Sequence, residues 1–134
     1  ENGVSKVYGT EEDYSSEVSG IKSNRRIVDE RGIKRADVVM VPLEDGDRTE
    51  ALVEKGKTVI TIDLNPMSRT AKAANVTIVD NIIRALPLFI EKVKEFQKVP
   101  KEKLVEIIES FDNEENLNKT LEIMTKRLKK LSEE

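Results

Sequence analysis

One uninterrupted stretch, Ala36 to Asn81 (ADVVMVPLEDGDRTEALVEKGKTVITIDLNPMSRTAKAANVTIVDN), constrains the fold more than any other part of the chain. It holds three short apolar runs, each closing on acidic, amide or hydroxyl residues. Ala36 to Val41, rich in β-branched residues, reads as a strand buried on both faces. Asp47 is placed to cap a helix from Arg48 to Lys55, which Gly56 ends. Thr58 to Leu64 is the next strand, broken by Asn65-Pro66. Ser68 to Ala74 fits a short helix and Val76 to Val79 a third strand. Strand–helix–strand–helix–strand with short links predicts an α/β fold, a Rossmann-like parallel sheet with right-handed crossovers. Such a sheet presents its ligand site at the carboxyl ends of its strands.

The remainder carries weaker signals. Val4 to Tyr8 (VSKVY) fits a short strand ended by Gly9, and Thr10 to Glu30 reads as an irregular polar loop of the long kind that tends to be functional or mobile. From Asn81 the chain turns helical, with Ile83, Leu86, Ile90 and Val93 on one face. Pro87 either kinks this helix or marks its first turn. A helix from Lys101 to about Ser110 follows Val99-Pro100. Asp112 or Asn113 then caps a last helix with the stripe Leu117, Leu121, Met124, Leu128 and Leu131. These helices form a C-terminal extension, packed on their own domain or used as a subunit contact. The domains expected are residues 1–97, α/β, and 98–134, helical.

Composition removes much chemistry. The 134 residues contain no Cys and no His, so disulfides, thiol nucleophiles, Ser-His triads and nearly all zinc sites are excluded. A net charge of −3 gives no overall attraction for nucleic acid or an anionic membrane. No stretch nears the roughly 18 apolar residues of a membrane span, and no secretory leader is visible, so the cytoplasm is the expected location. High charge and a single Gln (Gln97) lean towards a thermophilic source. The sequence opens at Glu1 rather than Met, and so reads as the C-terminal part of something longer.

Neither common glycine-rich phosphate loop is present, which moves attention to the strand ends. Asp63 and Asn65 follow the second strand, where a carboxylate can accept from ribose hydroxyls or simply form a turn beside Pro66. Arg69, in Ser68-Arg69-Thr70 at a helix start, suits a phosphate or a solvated surface. Asn81, after Asp80, can read a purine edge or serve as an N-cap. The acidic run Glu44-Asp45-Gly46-Asp47-Arg48 can hold Mg2+, with Asp45 and Asp47 as ligands, or make a capped turn. Lys22 to Arg26 (KSNRR), with Arg25 and Arg26, fits an anionic substrate group or a solvated face.

The run from Val38 to Pro87, with its IDLNPMSRTA and IVDN segments and a weaker extension upstream through GIKSNRRIVDERGI, resembles the C-terminal half of archaeal 4-phosphopantoate–β-alanine ligase, or phosphopantothenate synthetase. The resemblance covers roughly Ser19 to Pro87. It implies a homodimeric, AMP-forming, ATP-dependent ligase of coenzyme A biosynthesis acting on 4-phosphopantoate and β-alanine. ATP would be held by Asp63, Leu64, Asn65, Arg69, Thr70, Asn81 and Ile82, with Leu64 and Ile82 contributing backbone groups. The family's other half, implied to supply further ATP-contacting arginines, lies outside these residues, and the tail after Gln97 is longer than the resemblance leads one to expect. The rival reading is a non-catalytic regulatory or assembly module using the same nucleotide pocket.

Overall fold

The computed structural model describes residues 3–10, 15–21 and 24–134. Its centre is a three-stranded parallel sheet in the order β3–β4–β5, built from Val38–Val41 (β3), Thr58–Ile62 (β4) and Val76–Ile78 (β5). Val38 pairs with Thr58 and Val41 with Thr61, while Ile60 pairs with Val76 and Ile62 with Ile78. The central strand β4 alone has neighbours on both sides. Val59 and Thr61 are fully buried there, and the Thr61 hydroxyl is satisfied by the Val41 carbonyl at 2.8 Å. β3 is not buried on both faces as the apolar run predicts: it is an edge strand, and Val38 is 56% exposed.

Helix α1, Gly46–Glu54, follows β3, and α2, Arg69–Ala73, follows β4. Asp45, not Asp47, caps α1, its carboxylate accepting from the Arg48 amide. The helix therefore starts at Gly46, two residues earlier than expected. Gly56 ends it at φ +75°, a left-handed conformation that only glycine adopts cheaply. Ser68 caps α2 through the Ala71 amide.

Two upstream expectations are corrected. Residues 4–8 form no strand. They are held instead by side chains: the Tyr8 ring lies 5.0 Å from the Arg31 guanidinium, and the Gly9 amide donates to Asp29. Within residues 10–30, of which 11–14, 22 and 23 lie outside the described residues, the chain is not an irregular loop. Ser15–Glu17 (β1) and Ile27–Asp29 (β2) make an antiparallel pair, with a tight helical turn at Asn24–Arg26 before β2. That pair carries Val18, Ile21 and Val28 into the same core as Val39, Val41, Ala51, Leu52, Val59 and Ala74.

Beyond the sheet come α3 (Ile82–Phe96), α4 (Lys101–Ser110) and α5 (Asn113–Ser132). Pro87 is the sixth residue of α3, neither its first turn nor its end; the helix continues without the bond a Pro amide cannot give. The α3 stripe is largely uncovered, with Ile83 80% exposed. α5 returns to the α/β unit, packing against α2 and β5 and burying Leu117, whereas Leu128 is 65% exposed. Among the described residues no helix is long and apolar enough to cross a membrane.

Candidate functional site

The polar loops gather at the carboxyl ends of β3, β4 and β5, and the first two are clasped together. The Asp45 amide donates to Thr70 Oγ1 at 3.0 Å, and Thr70 is fully buried. A Cβ on Gly46 would lie 2.9 Å from the Arg69 Cβ, so only glycine lets the starts of α1 and α2 come this close.

Onto this junction the turn before β2 lowers Arg25, whose Nη1 donates to Asp45 Oδ1 at 2.9 Å and whose Nη2 lies 4.0 Å from Asp47. Arg48 Nη2 donates to the Arg25 carbonyl at 2.8 Å, while its buried Nε lies 3.6 Å from Asp45 and makes no hydrogen bond among the described residues. Arg69 turns onto α1. Its Nη1 meets Asp47 at 2.9 Å, and its Nε and Nη2 fork onto Glu50 at 3.1 and 2.7 Å. Hydrogen bonds donated to Glu50 first, then to Asp47, raise the guanidinium pKa above its ordinary value. Arg25, Glu44, Asp45, Gly46, Asp47 and Arg69 line a cleft of about 190 Å³.

At the end of β4, Asp63 is buried and shapes its own loop. One carboxylate oxygen accepts from the Asn65 amide at 2.8 Å and the other from the Ser68 hydroxyl. Asn65 in turn accepts from the Met67 amide at 3.0 Å. A carboxylate has about four lone-pair sites, so Asp63 keeps acceptor capacity for a ligand hydroxyl. Leu64 stands exposed beside it. The Asp63 amide bonds to the Ile78 carbonyl at 3.1 Å, which sets this loop next to the end of β5. There Asn81 caps α3 through the Ile83 amide at 2.9 Å, with Ile82 as first helical residue. Asp80 pairs with Arg84, whose hydrogen bond, ahead of that from the Asn81 amide, holds the Asp80 carboxyl below its usual range.

The structure thus gathers Arg25, Asp45, Asp47, Arg69 and Thr70 into one cluster, and sets Asp63, Leu64 and Asn65 beside Asn81 and Ile82 along the sheet edge. Arg26 turns to Glu17 of β1 at 3.2 Å, and Lys22 and Ser23 lie outside the described residues. Asp45 and Asp47 both face guanidinium groups, and no group of three or more ligating side chains exists among the described residues. Sequence reasoning missed Arg48 and Glu50. Glu50 was legible in principle, since it stands three residues after Asp47 and shares its helix face.

These elements define a parallel α/β domain with its polar loops collected at the strand carboxyl ends, the class in which that edge takes the ligand. The chain belongs to the phosphopantothenate/pantothenate synthetase family, whose pattern matches residues 1–127. It is 54% identical over 116 residues to a 4-phosphopantoate–β-alanine ligase of Thermococcus onnurineus, covering 87% of this chain and 44% of that protein. Identity is 50% over 117 residues with the Thermococcus kodakarensis ligase, covering 87% and 45%, and 48% over 133 residues with that of Methanosarcina mazei, covering 99% and 51%. The chain spans about half the length of these curated relatives.

Proposed function

We propose that this chain is the nucleotide-holding part of an ATP-dependent ligase that joins 4-phosphopantoate to β-alanine in coenzyme A biosynthesis, releasing AMP and pyrophosphate. The observation that carries the reading is sequence shared with ligases of that name along 99% of the chain in one case, a span that takes in all three strand-end loops. Asp63, with Asn65, would accept from the ribose hydroxyls, and backbone groups of Leu64 and Ile82 would flank the nucleoside. Asn81 would meet the base. Arg69 would take a phosphate, and Thr70, whose side chain is buried, would contribute only its backbone. Arg25 would receive the phosphate of 4-phosphopantoate, with Arg26 joining it on release from Glu17.

The reaction balances in two displacements. The carboxylate of 4-phosphopantoate attacks the α-phosphorus of ATP and pyrophosphate leaves, giving an acyl adenylate. The amine of β-alanine then attacks the acyl carbon, AMP leaves with the former carboxylate oxygen, and the amine loses a proton. The chain's part is positional, holding reactants in line and neutralising phosphate charge. A homodimer belongs to this reading, with the exposed apolar residues of α5 (Met124, Leu128 and Leu131) as the self-association stripe.

The test supplies full-length protein with ATP, Mg2+, 4-phosphopantoate and β-alanine and separates the nucleotides. AMP and pyrophosphate equimolar with 4′-phosphopantothenate are expected. Stoichiometric ADP and phosphate without AMP would overturn the adenylate route. ATP binding without turnover would favour the non-catalytic module.

A further inference from the structure

Arg69, the side chain given a nucleotide phosphate above, is not presented as a free cation. All three of its nitrogens are engaged by carboxylates of α1: Nη1 by Asp47, Nε and Nη2 by Glu50. The Nε/Nη2 edge, one of the two edges able to grip a phosphate through paired N–H groups, is already filled. The surroundings are also the wrong sign for a polyphosphate. Asp47, Glu50 and Glu54 line a depression of about 250 Å³ in which Arg69 is the sole cation among the lining residues. An anion entering while this arrangement persists meets net negative charge. The pairs are nevertheless exposed, with the Arg69 side chain at 64%, and such pairs exchange partners at little cost.

We propose that Glu50, with Asp47, is a positioning residue that latches Arg69 against α1, so that nucleotide binding proceeds by exchange of a carboxylate for a phosphate on one guanidinium. The proposal rests on the reading that Arg69 takes a nucleotide phosphate. Asp47 and Glu50 stand three residues apart and so share one face of α1. Arg69 is the first residue of α2, held against α1 by the close approach at Gly46, and its side chain needs only a rotamer change to leave them. The latch also keeps an unpaired guanidinium from capturing free phosphate when nucleotide is absent.

Calorimetry of ATP binding to the full-length protein tests this with Glu50→Gln, Arg69→Ala and the double variant. Glu50→Gln should tighten ATP roughly two- to fivefold, as expected for release of one exposed pair. Its melting temperature should stay that of the wild type. Arg69→Ala should weaken ATP about tenfold or more, and adding Glu50→Gln to it should change nothing further. Weaker or unchanged binding in Glu50→Gln would overturn the latch, the first outcome marking Glu50 as a support for Arg69 in its bound position. Tightening that persists without Arg69 would also overturn it, as a general charge effect. Failure of the wild type to bind ATP would instead sink the nucleotide reading itself.

Discussion

Asn113, the first residue of α5, makes three hydrogen bonds across the molecule. Its Oδ1 accepts from the Thr77 amide at 2.8 Å, and its Nδ2 donates to the carbonyls of Ala71 and Ala74 at 3.0 and 2.9 Å. An amide side chain suits the place because it donates and accepts at once. Asn113→Ala leaves the Thr77 amide and the Ala74 carbonyl unpaired, the Ala71 carbonyl keeping its bond from the Thr77 hydroxyl, and about 2–3 kcal/mol of stability should be lost in urea unfolding. Asn113→Asp should be no milder at neutral pH, since it sets a carboxylate against two carbonyls. A second residue gives a pH signature. Asp29 accepts from Arg31 through Nε at 3.0 Å and Nη2 at 2.7 Å, and from the amides of Arg31 and Gly9. The Arg31 side-chain bonds, above all, hold its carboxyl well below the ordinary carboxylate range. A carboxyl depressed in the folded state stabilises fully above its unfolded value, about 3.9, and loses that contribution as pH falls from there through the folded value. Asp29→Asn should therefore lower the urea midpoint at pH 7. The gap from wild type should narrow steadily below about pH 4, and a gap independent of pH would contradict the assignment.

At the level of elements, the contact between α1 and α2 is set by a missing side chain. Gly46→Ala would place a Cβ 2.9 Å from the Arg69 Cβ, the root of that side chain, fixed to the helix backbone, rather than its flexible tip. Relief requires the two helices to part, and overpacking of this kind costs about 1–3 kcal/mol. Gly56→Ala meets open space and pays only for its φ of +75°, about 1 kcal/mol. Melting of the two variants should rank Gly46→Ala as the more damaging. What the sequence made legible follows the same physics. β4 and β5 stand out because parallel strands beside a core read as apolar runs, and α4 because Pro100 and its own periodicity bound it. The β1–β2 pair does not stand out, since Ser15–Glu17 is polar and becomes a strand only because Ile27–Asp29 lies alongside. Likewise the strand-end loops were visible as sites, but the pairing of Arg25 with Asp45, or Arg69 with Glu50, joins residues about 20 apart and leaves no local trace. The shift of the α1 cap from Asp47 to Asp45 is a smaller case: two carboxylates flank Gly46, and the bond from Asp45 to Thr70 selects the first.

For the molecule as a whole, α5 does two jobs along one length. Its first turns close the sheet: Asn113 and Asn116 pair with the amide and carbonyl of Thr77, standing in for a further strand on an edge that would otherwise invite one. Leu117 is buried there, 7% exposed. Further on, the same stripe leaves the sheet, and Met124, Leu128 and Leu131 are exposed by 40%, 65% and 47%. An apolar stripe of uniform spacing is thus split by geometry, and the two ends answer to different forces. Leu117→Asp places a charge among α2, β5 and α5, where an unpaired ion is costly, and should unfold the tail or the domain. Leu128→Asp places its charge in water as far as this chain is concerned, and should leave circular dichroism and melting of the isolated subunit unchanged. If the stripe joins two copies, burying a Leu there is worth about 1.5–3 kcal/mol per side, and the buried charge would oppose association. Light scattering of full-length Leu128→Asp should then give half the wild-type mass with the fold intact. A wild-type mass already equal to one chain, or an unchanged dimer mass in the variant, would remove the stripe from any subunit contact.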